Sequence, residues 1–203
     1  MTNLDDESPV WYAVYGSNLD RNRFKCYLAG KAPSLGARTP KKCPAGTKIA
    51  GDRKLVLNFE LYFAREAQSW SDQGVAFVRN QSSASARTLG RRYLLTLAQF
   101  RHVAQEENGG YKTKPVHITK EMLSGPPVPI RSDGWYRVLL PCGVDGMTPI
   151  ATLTGAPEEA GPPVQPSDAY RCVIRNGLHQ KYRNMLDSEI DDYLEAAIRR
   201  RAI

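Results

Sequence analysis

A glycine followed by two small polar residues near the N-terminus has the composition of a turn that could bind a ligand. Gly16, Ser17 and Asn18 close a short aromatic and β-branched run that begins at Val10. Apolar residues then recur at helical spacing, at positions 24, 27 and 28, so the pattern predicts a strand, a glycine turn and a helix. The start of a helix presents backbone N–H groups and a positive dipole end, which suit a carboxylate or an oxyanion. Alternatively, Ser17 or Asn18 simply caps the helix.

Two adjacent carboxylates at the end of a second predicted helix are the candidates for acid and base chemistry. This helix runs from Leu97 to about Glu107, with apolar residues at positions 97, 100, 103 and 104, and residues 108 to 110 end it. Either Glu106 or Glu107 can project inward, and the periodicity does not choose between them. A carboxylate in hydrogen-bond reach can take a proton from an ammonium and return it to a leaving group. The alternative is a pair of solvated residues at a helix end.

The elements that must position these residues are short strands, turns and a few helices. Strands are predicted at 54–59, 61–64, 74–78, 88–96, 135–143 and 149–154, and C-terminal helices at 169–185 and 187–200. Strands and helices interleave irregularly, and Asp145-Gly146 suits a tight hairpin turn. We therefore expect an α+β fold, with a mixed, mostly antiparallel sheet or barrel and helices packed outside it.

Length and composition are those of an ordinary globular protein. The chain has 203 residues, of which 41% are hydrophobic and 24% are charged, and its mean hydropathy is −0.46. These values exclude a wholly disordered or fibrous chain. Residues 1–9 are polar and acidic and are predicted to form a flexible N-terminal tail. Residues 10–203 are predicted to form a single domain, because strongly patterned helices follow the Pro- and Gly-rich loop at 155–168.

Membrane, metal and nucleic-acid partners are not expected. No window reaches the roughly 18 consecutive apolar residues of a spanning helix, and the acidic N-terminus is the reverse of a secretory signal, so we expect a cytoplasmic protein. The 4 cysteines and 3 histidines lack C-x-x-C or H-x-x-x-H spacing, which argues against a metal site. The net charge of +7 comes from short, scattered basic groups, which favours a solvated surface over DNA or RNA binding.

The segment Tyr15-Gly16-Ser17-Asn18-Leu19 resembles the signature of the γ-glutamylcyclotransferase-like family. Further segments match that family in the same order and extend the resemblance over roughly residues 10 to 190: Phe59, Trp70, Gly74-Val75-Ala76, Gly90, Gln105-Glu106 and Pro166-Ser167-Asp168-Ala169-Tyr170. The chain departs from the family in Ala13 and Val14, which replace an aromatic residue followed by alanine. The implied fold is a small mixed barrel surrounded by helices.

The activity that the resemblance implies is that of a γ-glutamyl cyclotransferase, an enzyme of acyl transfer. In this reaction the α-amine of a γ-glutamyl group attacks its own side-chain carbonyl, which forms 5-oxoproline and releases the linked amine or amino acid. The implied partner is a small-molecule γ-glutamyl substrate, which is an amino acid, a peptide or an amine derivative. The resemblance implies neither a metal nor an organic cofactor, and the oligomeric state stays open.

The resemblance also implies roles for individual residues. The family's catalytic glutamate follows a polar residue at this helix end, which favours Glu106 as the general acid and base. The implied substrate-binding residues are Tyr15, Gly16, Ser17, Asn18, Tyr111 and Tyr170. We expect these residues, which come from four separate segments, to line one cavity. The alternative is a non-catalytic module on the same fold that binds a small carboxylate.

Overall fold

The computed structural model describes residues 4–34, 37–156 and 161–200. In these residues the α-helices are α1 (Arg21–Ala29), α2 (Leu97–Glu107), α3 (Asp168–Lys181) and α4 (Asp187–Ile198). The strands are β1 (Pro9–Val14), β2 (Gly51–Leu57), β3 (Phe59–Ala67), β4 (Gln73–Ser82), β5 (Thr88–Thr96), β6 (Val128–Pro129), β7 (Val138–Asp145) and β8 (Thr148–Thr154). Short 3-10 helices lie at Leu4–Glu7, Ser17–Leu19, Gln68–Trp70 and Glu121–Ser124.

The strands pair into two sheets. One sheet has the strand order β2-β5-β1-β8-β7-β6, and the other consists of β3 and β4. β1 runs parallel to β8, with Trp11 opposite Ile150, whereas the pairs β3–β4, β6–β7 and β7–β8 are antiparallel. The predicted α+β fold with mixed, mostly antiparallel strands is therefore confirmed.

β5 and α2 have the boundaries that the sequence predicts. The junction between them is sharp because Thr96 and Gln99 form a capping box. The Gln99 N–H donates to the Thr96 hydroxyl oxygen at 3.2 Å, and the Thr96 N–H donates to the Gln99 side-chain oxygen at 3.0 Å. This reciprocal pair satisfies two backbone donors and fixes the first turn of the helix that carries Glu106.

Regular structure begins earlier than the sequence predicts. Leu4–Glu7 form a 3-10 helix inside the predicted tail, and β1 starts at the tail's last residue. Asp6 forms an ion pair with Arg101 of α2 at 2.5 Å, which holds this segment against the helix. Residues 1–3 of the predicted tail lie outside the described residues.

Several other boundaries differ by a few residues. The hairpin predicted around Asp145-Gly146 is present, but β7 begins at Val138 rather than at 135. α3 ends at Lys181 rather than at 185. Of the predicted loop at 155–168, residues 157–160 lie outside the described residues.

Contacts between residues divide the chain into two compact units. The first unit consists of Met1–Ala13, Lys25–Arg53 and Arg92–Thr154, and the second consists of Val14–Phe24, Lys54–Arg91 and Gly155–Ile203. These are unit 1 and unit 2, respectively. The single domain predicted for residues 10–203 stays a prediction.

Each unit has its own apolar core. In unit 1, the rings of Tyr12 on β1 and Phe100 on α2 lie 5.2 Å apart between centroids, and both side chains are buried. In unit 2, the buried ring of Phe63 on β3 meets that of Tyr170 on α3 edge to face, with 6.4 Å between centroids. The cores thus anchor α2 and α3, which carry predicted site residues.

Gly74 on β4 fixes the segment that precedes α3 in unit 2. Its N–H donates to the Gln165 carbonyl at 2.7 Å. A Cβ at this position would lie only 2.0 Å from the Val164 carbonyl oxygen. Only glycine allows two backbones to approach this closely. Gly74 therefore fixes the position of residues 164 and 165, from which the chain continues into α3 and Tyr170.

Replacement of Gly74 by alanine should lower the free energy of unfolding by about 1–3 kcal/mol, because the backbone at 164 must move to admit a methyl group. Urea denaturation measures the change. Gly125→Ala is the matched control, since its Cβ would meet only the Glu121 carbonyl at 3.9 Å and its φ is −90°. That variant should change stability by less than about 0.5 kcal/mol or stabilise slightly. Equal stability of the two variants would contradict the close approach at Gly74.

Candidate active site

The predicted site residues belong to both units. Residues 15 to 18 and Tyr170 belong to unit 2, whereas Glu106 and Tyr111 belong to unit 1. The convergence of all of them on one cavity stays a prediction.

In unit 2, residues 15 to 18 form a tight turn. Tyr15 and Asn18 are buried, and Gly16 and Ser17 are partly exposed. The chain then makes a single 3-10 turn in which the Leu19 N–H donates to the Gly16 carbonyl at 2.9 Å. The part of the turn that a solute can reach is therefore the backbone of Gly16 and Ser17 with the serine side chain.

Asp20, rather than Ser17 or Asn18, caps α1. Its Oδ1 accepts hydrogen bonds from the N–H groups of Asn22 at 2.8 Å and Arg23 at 3.0 Å. The alternative in which the turn residues serve as the cap of this helix is therefore wrong. A carboxylate of the protein itself already occupies the positive end of α1, so an anionic ligand in unit 2 would depend on the turn and not on the helix.

A buried arginine holds the chain directly after the turn. Arg91 is 2% exposed, and its Nη1 donates to the Leu19 carbonyl at 2.8 Å and to the Gln180 side-chain oxygen at 2.7 Å. Gln180 in turn donates to the Asp20 carboxylate at 3.2 Å. A Cβ at Gly177 would lie 2.4 Å from the Asp20 nitrogen, so this glycine allows α3 to lie against the turn. None of these contacts has a signal in the sequence.

Tyr170 of α3 lies against the same turn. A Cβ at Gly16 would lie 2.9 Å from the Tyr170 hydroxyl oxygen, which accepts a hydrogen bond from the Ala76 N–H at 3.1 Å. Ser167 caps α3 by accepting a hydrogen bond from the Tyr170 N–H at 3.2 Å. Within unit 2 the structure therefore brings together three segments of the resemblance: the turn, Gly74-Val75-Ala76 and the segment ending at Tyr170.

Aromatic contacts fix the Tyr170 ring. Trp70 meets it edge to face with 4.7 Å between centroids, and Phe63 does so at 6.4 Å. The Arg23 guanidinium stacks on Trp70, 4.7 Å from the ring centroid. Tyr170 is 2% exposed, so in this structure it supports the turn more than it presents a surface.

In unit 1, Glu106 is the buried member of the carboxylate pair. It is 2% exposed, whereas Glu107 is partly exposed. Arg38 Nη1 lies 2.6 Å from Glu106 Oε2, and the Lys41 N–H donates to Oε1 at 3.1 Å. Arg38 Nη2 also donates to the Glu106 carbonyl at 2.8 Å. Sequence reasoning missed Arg38 and Lys41, because the connection at 30–52 has no periodic pattern.

Gly110 leaves room for this ion pair and for the turn after α2. Its φ is +80°, which favours glycine, and a Cβ would lie 2.7 Å from Arg38 Nη1 and 3.1 Å from Glu106 Oε2. The Gln105 side chain holds the same turn, donating to the Gly110 carbonyl at 2.7 Å and accepting from the Val116 N–H at 2.8 Å. The glycines predicted to stop the helix therefore also shape the surroundings of Glu106.

Tyr111 is half exposed and is held by a histidine. Its hydroxyl lies 2.9 Å from His102 Nδ1, and His102 Nε2 lies 2.9 Å from the Tyr27 carbonyl oxygen. A carbonyl only accepts, so Nε2 carries a hydrogen, and in the neutral imidazole Nδ1 accepts from the Tyr111 hydroxyl. Burial raises the pKa of Tyr111, and electrostatic interactions with Cys43 and Glu106 raise it further, so the phenol stays protonated at neutral pH.

Glu106, the candidate general acid and base, thus has fixed hydrogen-bond partners but does not use all of its acceptor sites. An ionised carboxylate has about four lone-pair sites, and each Glu106 oxygen already accepts one side-chain or backbone hydrogen bond. Each oxygen therefore keeps an unused lone-pair site, although the Glu106 side chain is 0% exposed. Among residues 4–34, 37–156 and 161–200, no group of three His, Cys, Asp or Glu side chains is arranged as a metal site.

In the same described ranges, no helix has the length and apolar character needed to cross a membrane.

The curated proteins include one relative of partial length. No family model matches the chain. Histone deacetylase 5 of Arabidopsis thaliana is 28% identical over 209 residues, which cover 93% of this chain and 31% of that protein. The chain therefore spans about a third of the relative's length.

Two solved structures resemble this one over almost its whole length. The uncharacterized protein loc79017 from Homo sapiens has a TM-score of 0.50 and 16% identity, and the match covers 94% of this chain and 89% of that one. A γ-glutamyl cyclotransferase has a TM-score of 0.51 and 16% identity, with 94% and 88% covered. At this identity the likeness concerns the fold: the chain has a γ-glutamylcyclotransferase-like fold.

Proposed function

We propose that the protein is a γ-glutamyl cyclotransferase with Glu106 as its general acid and base. The observation that carries the proposal is the burial of this one carboxylate, at the position that the resemblance implies, in a chain of γ-glutamylcyclotransferase-like fold. The substrate is a γ-glutamyl amino acid, peptide or amine. A cytoplasmic location without membrane or nucleic-acid partners is part of the same proposal.

The proposed reaction moves two protons, one after the other, from the substrate's α-nitrogen to the leaving nitrogen. The substrate's α-ammonium gives a proton to the Glu106 carboxylate, and the free amine attacks the γ-carbonyl carbon. A new C–N bond closes the five-membered lactam, and the original C–N bond breaks as Glu106 gives this first proton to the leaving nitrogen. The lactam nitrogen then loses its second proton to Glu106, which passes it to the released amine. The reaction is redox-neutral and leaves Glu106 ionised for the next cycle.

The turn and the tyrosines are proposed to bind the substrate. The backbone of residues 15 to 18 would hold the substrate carboxylate or the developing oxyanion, and Gly16 would let a ligand approach that backbone closely. Ser17 binds in this scheme and does not attack, because its surroundings are not those of a nucleophile elbow. Tyr111, whose phenol is anchored by His102, and Tyr170 would close the site.

One observation favours the second candidate, a non-catalytic module that binds a small carboxylate. Arg38 and the Lys41 N–H already occupy one site on each Glu106 oxygen, as they would if the glutamate only held the connection at 30–52 in place. In that case the turn in unit 2 would bind ligands and Glu106 would be a structural anion.

An assay of product formation separates the two candidates. The wild-type protein should release 5-oxoproline, measured by mass spectrometry, from at least one member of a panel of γ-glutamyl amino acids, dipeptides and amines. Absence of product across the panel would remove the catalytic proposal. Calorimetric binding of panel members without turnover would support the binding module.

Glu106→Gln should lower turnover at least about 100-fold, because an amide cannot take the proton at neutral pH. The sequence alone predicts almost no effect on stability, but the ion pair changes this expectation. A buried amide would turn its NH₂ group towards either Arg38 or the Lys41 N–H, so the free energy of unfolding should fall by about 1–3 kcal/mol. Steady-state kinetics and urea denaturation measure the two effects.

Glu107→Gln is the control on the neighbouring residue. Since Glu107 is partly exposed, stability should change by less than about 0.5 kcal/mol and turnover should stay near that of the wild type. If Glu107→Gln loses turnover and Glu106→Gln keeps it, the base is one residue later. Full activity of both variants would place the base outside this helix end.

A further inference from the structure

His102 links a backbone carbonyl to a half-exposed tyrosine within unit 1. His102 is 3% exposed, and its ring nitrogens lie 2.9 Å from the Tyr27 carbonyl oxygen and 2.9 Å from the Tyr111 hydroxyl. Tyr27 lies in the last turn of α1, where side chains commonly bond the backbone carbonyls. The three groups form a chain of two hydrogen bonds, and this chain ends at Tyr111, which is 50% exposed and which a solute can therefore reach.

The direction of both hydrogen bonds follows from the carbonyl at one end. A carbonyl oxygen only accepts, so the hydrogen of the neutral imidazole is on Nε2, and Nδ1 is an acceptor. The Tyr111 hydroxyl has a single hydrogen, which it donates to Nδ1. The Tyr111 oxygen therefore presents only lone pairs to any further partner.

Lys41 and His102 both hold the Tyr111 ring in place. The Lys41 ammonium lies 4.9 Å from the Tyr111 ring centroid, where the π electrons of the ring attract a cation. The rings of His102 and Tyr111 lie 5.6 Å apart between centroids. A ligand that reaches Tyr111 thus meets an acceptor with a fixed position and a fixed direction.

From this geometry we infer that His102 is a positioning residue, which makes the Tyr111 hydroxyl an acceptor for the γ-amide N–H of the ligand. The inference rests on the proposed function, in which the α-ammonium of the ligand goes to Glu106 and leaves the amide N–H as the donor for Tyr111. An ester offers no such hydrogen and places its own lone pairs against those of the phenol. In the proposed reaction, Tyr111 would hold the leaving nitrogen by its hydrogen, so that its lone pair stays free to take a proton.

A γ-amide and a γ-ester of equal size test the inference. The γ-ethylamide and the γ-ethyl ester of L-glutamic acid differ only in the amide N–H, which an oxygen replaces in the ester. Isothermal calorimetry, with 5-oxoproline quantified in the same samples, should show that the wild type binds the amide at least about 10-fold more tightly, which is the range of one hydrogen bond lost against a buried acceptor. In Tyr111→Phe the ratio of the two Kd values should fall to about 1.

Two variants of His102 separate the direction of the hydrogen bond from packing. His102→Gln can keep the direction, because its amide N–H can donate to the Tyr27 carbonyl while its oxygen accepts from Tyr111, so the Kd ratio should stay near that of the wild type. His102→Leu frees the Tyr111 hydrogen, which can then be donated to the ester, so the ratio should fall at least about 5-fold. The matched control is His179→Leu, which removes a histidine of unit 2 that lies 2.7 Å from Asp187 and should leave the ratio unchanged.

The hydrogen position can also be measured in a protein that keeps His102, which decides the question if the His102 variants do not fold. Nitrogen-15 NMR at about pH 8, above the usual pKa of an imidazole, distinguishes a ring nitrogen that carries a hydrogen from one that does not. His102 should carry its hydrogen on Nε2. Replacement of His117 and of His179, one at a time, identifies the signals of the other two histidines of the chain.

Several outcomes would overturn the inference: a hydrogen on Nδ1 of His102, equal Kd values for amide and ester in the wild type, or no binding of either compound. A Kd ratio unchanged in Tyr111→Phe or His102→Leu, or an equal fall in His102→Gln or His179→Leu, would do the same. Failure of the proposed reaction would appear differently, as no 5-oxoproline from the wild type across the panel while the Kd ratio still depends on His102 and Tyr111.

Discussion

A carboxylate removed from water needs a partner, and Glu106 imposes this constraint on unit 1. An unpaired ionised group in a protein interior is too costly to persist, so the chain must bring donors to it. Arg38 and the Lys41 N–H meet that need from a connection whose described residues, 30–34 and 37–50, form neither helix nor strand. Gly110 keeps the space in which the pair forms. The position of the connection therefore follows from one buried charge.

Unit 2 uses the same principle with the opposite charge. The buried Arg91 guanidinium is satisfied by the Leu19 carbonyl and by Gln180, which orders the chain next to the turn at residues 15 to 18. Gly16 and Gly177 remove the side chains that would keep α3 away from that turn. In each unit, the proposed site residues are positioned by a buried charged side chain with hydrogen-bond partners and by glycines that leave room for close packing. Fully paired polar networks of this kind favour one conformation over the alternatives.

Local patterns predicted the parts of the structure that local forces determine. α2 follows from its apolar spacing, and its start follows from the Thr96 capping box. Asp20 also carries a readable signal, as an acidic residue at the start of a helical pattern, although the small polar residues before it make Ser17 and Asn18 equally plausible caps from sequence alone. Arg38 could not be found this way, because it meets Glu106 across 68 positions of sequence and the choice between Glu106 and Glu107 needs that contact. The pairing of His102 with Tyr111 likewise depends on the turn at Gly110 and not on helical spacing.

The two oxygens of Glu106 accept hydrogen bonds from two different kinds of donor, one in the backbone and one in a side chain. This difference explains how Glu106 could act as a base although it is already ion-paired. Oε1 accepts from the Lys41 backbone, whose position is tied to the chain. Oε2 accepts from the end of a long, half-exposed arginine side chain, which can change rotamer without moving the backbone. In the proposed reaction the backbone donor would keep the carboxylate oriented while a substrate ammonium takes a place beside Arg38 at Oε2. Precise orientation and access to the proton acceptor thus need not compete, because they depend on different oxygens of one side chain.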